Sequence, residues 1–237
     1  VKSLRKAISR RLFPDREVFR APIQDARGRR AAWLDFLLVD FGILRLFWKN
    51  RRRFARDAFR MNQPYPADIA WAKRQGVKTI LTARHDPRHG GHALVGEAAA
   101  KLGLAYAVFP LLSRDPPSKE SLLEAPDFLR RLETPVLIHC KSGADRAGFL
   151  AALWLVFMEG ASVRAARKEL SLRHLHIRAS RTGILDAVFD AYLAAHPDEK
   201  KPFLDWVRDD YDPERLRADF HAGRFADFVD RIILRRE

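Results

Sequence analysis

Apolar positions along the chain fall into short blocks separated by polar turns, and the blocks alternate between two periods. "PADIAWAKRQG" sets its apolar residues at helical spacing and stops at Gly76. "VKTILTA" is a continuous apolar run of strand type, followed by the turn-rich loop "RHDPRHGG". "HALVGEAAAKLG", ending at Gly103, predicts a second helix and "LAYAVFPL" a second strand. The Pro-rich "LSRDPPSKESLLEAPDFLRRLE" reads as a loop leading into a helix; "PVLIH" then predicts a strand and "AGFLAALWLVFMEG" a helix. Further helices are expected at "SVRAARKELS", "TGILDAVFDAYLAAH", "KPFLDWVRDDY" and "PERLRADFHAG". This alternation predicts an α/β fold with a central, largely parallel sheet flanked by helices.

Before that core the pattern changes. Residues 3–12 predict a basic helix with Leu4, Ile8 and Leu12 on one side; Pro14 and Pro22 interrupt, and "DARGRRAA" reads as a turn or exposed link. "WLDFLLVDFGILRLFW", residues 33–48, is strongly apolar yet carries Asp35, Asp40 and Arg45, which makes it a poor membrane span. It suits a helix packed on the domain, or a segment lying on an anionic membrane with "KNRRRF" beside it. The expected organisation is a basic extension over residues 1–32 and a single domain over 33–237 with a helical C-terminal part. No internal repeat or low-complexity tract is evident.

Charge sharpens this division. The formal net charge is +14, and residues 1–60 carry 17 Lys or Arg against 6 Asp or Glu, so +11 of it belongs to the first quarter. Such a field favours lipid headgroups, nucleic acid or phosphorylated substrates without choosing among them. "KNRRRFARDAFR" lacks a nucleic-acid module and a regular stacking pattern, and Phe54 and Phe59 are expected to hold it to the fold. The early apolar residues are interrupted by Arg and Lys, unlike a secretory signal, although an upstream targeting segment removed before Val1 stays open. A single cysteine excludes an internal disulfide. A cytoplasmic protein is expected, with peripheral membrane contact through residues 33–56.

That cysteine is set for chemistry. Cys140 ends the strand Val136–His139, and a helix is expected to begin near Arg146 or Ala147. The intervening "KSGAD" is short enough to force a tight turn, with Gly143 and Gly148 permitting unusual or close backbone paths. Backbone N–H groups aimed at one point beside a helix N-terminus make an anion site. Arg146 would add a bidentate fork for phosphate oxygens. The same field would stabilise a thiolate at Cys140, so that one loop both binds and attacks phosphorus. The bland alternative is an inert thiol buried at a strand end.

"HCKSGADRAG", His139 to Gly148, resembles the His-Cys, five residues, Arg signature of the protein tyrosine and dual-specificity phosphatases, in particular a bacterial branch with a CKSGADRAG loop. "NQPYP", "FPLLSRDPP" and "SLRHLHIRASRTGILDAVFDAY" resemble that branch too, so the likeness spans roughly Trp33 to Phe228. It implies a dual-specificity-phosphatase-like fold and hydrolysis of phosphomonoesters through a cysteinyl-phosphate, without metal or cofactor. Cys140 would be the nucleophile; Lys141, Ser142, Gly143, Ala144, Asp145 and Arg146 would form the phosphate-binding loop; His139, Ala147 and Gly148 would support it. Lys141 and Asp145 are similar to residues in phosphoinositide phosphatase loops, and Asp145 equally suits anchoring of the loop by a neighbouring base. The family's Ser or Thr after the arginine is replaced by Ala147, which removes a donor to sulfur and should slow breakdown of the intermediate.

A proton donor must come from another loop. Asp115, in "LLSRDPPS", follows a predicted strand and lies 25 residues before Cys140, where the family's general acid is found; its bland alternative is a turn or cap residue. Glu120, Glu124 and Asp86 are the rivals. His85, His89 and His92 lack the partner set of a metal site, and His174 and His176, among arginines, receive no definite role. The expected substrate is protein phosphotyrosine or a lipid or inositol phosphate. A phosphate-binding pseudophosphatase without efficient turnover and a rhodanese-like sulfur transferase are the alternatives.

Overall fold

The computed structural model describes residues 17–220; the helix expected over residues 3–12 and the end of "PERLRADFHAG" fall outside them. The chain divides into two compact units, one of Val1–Pro110 with Glu133–Ser142, the other of Leu111–Leu132 with Gly143–Glu237.

The first unit is built on a five-stranded sheet of order β1-β2-β5-β3-β4. Strand β1 (Arg52–Ala55) pairs antiparallel with β2 (Ala58–Met61), and β2 and β3 (Thr79–Arg84) pair parallel with β5 (Val136–His139) on either side; β4 (Ala105–Leu111) forms the other edge. The register aligns Met61 and Thr82 with His139, so β2 and β5 end level immediately before Cys140 while β3 runs on to Arg84. Every residue of β2, β3 and β5 is buried, which is why "TIL" and "VLI" read as unbroken apolar runs rather than as alternation. The hairpin β1–β2 is a correction to the sequence expectation. Its arginines masked the strand signal, and one of them, Arg60, is completely buried.

Helices α1 (Ala26–Leu34), α2 (Pro66–Arg74) and α3 (Gly90–Lys101) complete this unit. Helix α1 occupies the stretch expected as a turn, because the Asp25 side chain accepts from the Gly28 N–H and caps it. It passes so close to the start of α3 that a Cβ at Gly90 would lie 2.1 Å from the Ala32 carbonyl oxygen. The Asp35 carboxylate caps α3 by accepting from the Gly90 N–H at 2.7 Å. Residues 33–48 are not one helix: a π turn over Asp35–Val39 is followed by a left-handed residue, Phe41, and a 3₁₀ turn over Gly42–Leu46. Charge accounts for the break, since Asp40 and Arg45 both turn into the protein.

The second unit is helical: α4 (Lys119–Arg130), α5 (Arg146–Met158), the single turn α6 (Val163–Ala166), α7 (Ile184–Ala195), α8 (Phe203–Asp209) and α9 (Pro213–Asp219). Helix α5 is buried all along Arg146–Trp154, with α4, α6 and α7 packed against it, as its uniformly apolar sequence requires. An aromatic chain fixes the rest. Phe149 stacks on Phe189 at 5.0 Å, Tyr192 meets Trp206 at 5.7 Å and Trp206 meets Tyr211 at 5.4 Å. The Tyr211 hydroxyl then donates to the Pro117 carbonyl at 2.8 Å, tethering the loop that carries Asp115.

Candidate active site

Cys140 leaves the buried strand β5 and is itself only 1% exposed. The next two residues are held from the first unit: the Gln63 N–H donates to the Lys141 carbonyl at 3.2 Å, and Asn50 Nδ2 donates to the Ser142 carbonyl at 3.1 Å. Gln63 is fixed in turn, its Nε2 donating to the Gly91 carbonyl and its Oε1 accepting from Arg84 Nη1 at 2.9 Å.

Beneath this stretch lies a buried charge cluster that the sequence did not reveal. The Asp40 carboxylate, with no exposure to solvent, receives Arg84 Nη1 at 2.9 Å, Arg45 Nη2 at 2.8 Å and Lys141 Nζ at 3.2 Å. Burial alone would push the Asp40 carboxyl up, but Arg84, Arg45, Lys141 and His89 together hold it well below the usual carboxylate range. Three cations gather on the one Asp40 carboxylate at the end of the sheet, and Cys140 lies within electrostatic reach of Arg45. Such a field favours an anion there. Asp40 and Arg45 inside an apolar run were the available signal, because charges interrupting such a run are tolerated when paired.

The rest of the loop belongs to the second unit. Gly143 adopts φ +74°, in the left-handed region, and Arg146, 7% exposed, is the first residue of α5. The chain therefore runs from strand end through a left-handed turn into a helix N-terminus whose N–H groups and dipole favour an anion. Ala144, Ala147 and Gly148 are buried, the last two within α5.

Asp145 has the anchoring arrangement that was one of its two expected roles. Its Oδ1 accepts from His176 Nδ1 at 2.7 Å and from the Thr182 hydroxyl at 3.1 Å. The other ring nitrogen of His176, Nε2, donates to Asp186 on α7. Burial alone would lower the imidazole, but hydrogen bonds to Asp145 and Asp186, reinforced by their charges, raise it to about 9. His176 is thus an imidazolium clamped between two carboxylates. A histidine beside arginines carries no sequence mark of this role; the 31 residues that separate it from Asp145 are closed only by the fold.

A pH dependence of stability follows. The proton on His176 stabilises the folded state fully below its unfolded value of 6.5, and this contribution is lost as pH rises towards the folded value of about 9. It is on the order of 3 kcal/mol. Urea unfolding at about pH 6 and about pH 10 is expected to show that loss in the native sequence and not in His176→Gln. Equal pH sensitivity of the two would show that the clamp does not hold the proton.

Asp115 lies on the loop between β4 and α4, and its Oδ1 accepts from Arg217 Nε on α9 at 2.6 Å. Its rivals are placed differently. Glu120 and Glu124 are exposed on α4, and Asp86 is engaged by the backbone N–H and guanidinium of Arg88. His92 Nδ1 pairs with the Tyr106 hydroxyl at 2.9 Å, and burial draws the ring down to about 4. No group of acidic, histidine and cysteine side chains suited to a metal occurs among the described residues.

A family model described as a DSP-PTPase phosphatase fused to NAD+ kinase matches residues 51–184, more than half of the chain. Among solved structures the chain is similar to TpbA of P. aeruginosa, with 22% identity over 72% of this chain and 89% of the other and a TM-score of 0.44. It is also similar to the active form of Tk-PTP, with 20% identity over 61% and 98% and a TM-score of 0.48. Kinase associated phosphatase, KAP, shows 18% identity over 59% and 88% and a TM-score of 0.46. No curated protein matches the chain.

Proposed function

This chain belongs to the family of DSP-PTPase phosphatases described as fused to NAD+ kinase, and on that footing we propose that it hydrolyses phosphomonoesters through a cysteinyl-phosphate on Cys140. The observation that carries the proposal is the path of the loop: a fully buried strand ending at Cys140, a left-handed Gly143, and Arg146 opening α5. The thiolate attacks phosphorus and the ester oxygen leaves with a proton from the Asp115 carboxyl. Asp115, now a carboxylate, takes a proton from water as water attacks the thiophosphate; the S–P bond breaks, giving inorganic phosphate and the thiolate again. The Arg146 guanidinium and the loop N–H groups balance the charge spread over the equatorial oxygens. For Asp115 to give a proton, its contact with Arg217 has to open.

The substrates best matched to this chemistry are protein phosphotyrosine and lipid or inositol phosphates, which present the same phosphomonoester. The cations gathered on Asp40, with Lys141 as their partly exposed member, support substrates carrying more than one negative group. Ala147 supports the second reading, a phosphate-binding protein that turns over poorly, because α5 offers no hydroxyl at that position.

Phosphate release from a panel containing an aryl phosphate, a phosphotyrosine peptide, inositol phosphates and phosphorylated lipids tests both. Multiple turnover by the reduced protein is expected, with faster breakdown of the intermediate in Ala147→Ser. A single equivalent of phosphate captured and held, with no rescue by Ala147→Ser, would establish the binding protein instead.

Asp115→Asn is expected to lower kcat by about 10²-fold, the usual worth of a positioned general acid. The loss should be greater for an alkyl phosphate than for a nitrophenyl phosphate, whose leaving group needs no proton. A loss independent of the leaving group would remove Asp115 from the acid role.

A further inference from the structure

Residues 34–48 carry an apolar surface that is exposed among the described residues. Phe36 and Val39 are buried and hold the stretch to the fold, while Leu38, Ile43, Leu44, Leu46, Phe47 and Trp48 are exposed, Leu44 at 66% and Phe47 at 89%. The one cation inside the run Ile43–Trp48 is Arg45, and it faces inwards: its guanidinium binds the Asp40 carboxylate and carbonyl. A sequence that looks interrupted by charge therefore presents outwards only aliphatic and aromatic side chains. Residues 49–57 follow at once, with Lys49 and Arg51, which both pair with Asp68, and then Arg52, Arg53 and Arg56 beside Asp57. On the exposed side of α1, Arg27 and Arg30 precede Leu34 at helical spacing.

We propose that this surface, the exposed side chains of residues 34–48 with their flanking arginines, docks the protein on an anionic lipid bilayer. Apolar tips beside a basic rim match the two layers of such a membrane, acyl chains beneath negative headgroups, and Trp and Phe favour that boundary. A protein partner would have to supply both a fitted apolar pocket and an acidic rim. The contact is peripheral, since no helix among the described residues is long and apolar enough to cross a membrane. The segment is anchored rather than pliant, because Asp40 ties Arg45 to Arg84 and Lys141 within one unit. Docking is independent of the catalytic proposal, and its test separates the two.

The full chain is sedimented with vesicles of phosphatidylcholine containing a quarter phosphatidylglycerol, and with vesicles of phosphatidylcholine alone. Binding is expected to the anionic vesicles and to weaken in high salt. The double variant Leu44→Asn, Phe47→Asn is expected to partition about tenfold more weakly, with unchanged thermal melting and unchanged release from a nitrophenyl phosphate. Equal binding by the variant would overturn the proposal by assigning vesicle attachment to charge elsewhere. Absence of vesicle binding, with an oligomer in sedimentation velocity that the variant abolishes, would overturn it in favour of contact between two copies.

Discussion

Cys140→Ser is expected to abolish turnover, with a loss on the order of 10⁴-fold or more on every substrate the native protein hydrolyses. Serine keeps the shape of the side chain but not its chemistry: its hydroxyl stays protonated at neutral pH and is a far weaker nucleophile than a thiolate. The remainder of the loop is untouched, since Gln63 and Asn50 hold the carbonyls of Lys141 and Ser142 and His176 holds Asp145. Phosphate should therefore bind with little change in affinity by calorimetry, and melting should barely shift. The measurement is phosphate release paired with phosphate binding. Residual turnover within tenfold of the native rate would sink the cysteinyl-phosphate route, because no other cysteine exists in the chain to substitute.

Asp40→Asn is expected to be the most damaging substitution for stability. Asparagine preserves the shape and removes the charge that offsets Arg84, Arg45 and Lys141. Uncompensated buried charge costs about 3–5 kcal/mol, which for a chain of this size lowers Tm by roughly 10 °C. The carboxyl is held low in the folded protein, so its contribution is fully present above the ordinary carboxylate range and lost as pH falls through the depressed value. The native protein should accordingly lose stability in acid over a range where Asp40→Asn does not. A variant that melts within two or three degrees of the native protein would show that the cations find other partners and that the cluster is not structural.

The Asp40 cluster also shows where sequence reasoning stopped. Strands β3 and β5, the helix stops at Gly76 and Gly103 and the all-apolar α5 were legible because burial on every side leaves an unbroken apolar run and left-handed glycines end helices. Strand β2 was not, because Arg60 is buried inside it, and α1 was not, because its signal was the single cap residue Asp25 beneath a string of arginines.

Sequence alone determined the α/β alternation, the placement of Cys140 between a strand and a helix, and the spacing to Gly143 and Arg146, since all of these depend on neighbours along the chain. It left Asp145 with two roles and His176 with none. Tertiary structure decided that His176 clamps Asp145 against Asp186, that Arg217 reaches back to Asp115, and that Asp40 gathers Arg45, Arg84 and Lys141. It also turned Arg45 inwards, leaving Leu44 and Phe47 as an apolar tip. Charged side chains carry no periodic signature, and whether each one is solvated or paired depends on partners that only folding brings within reach.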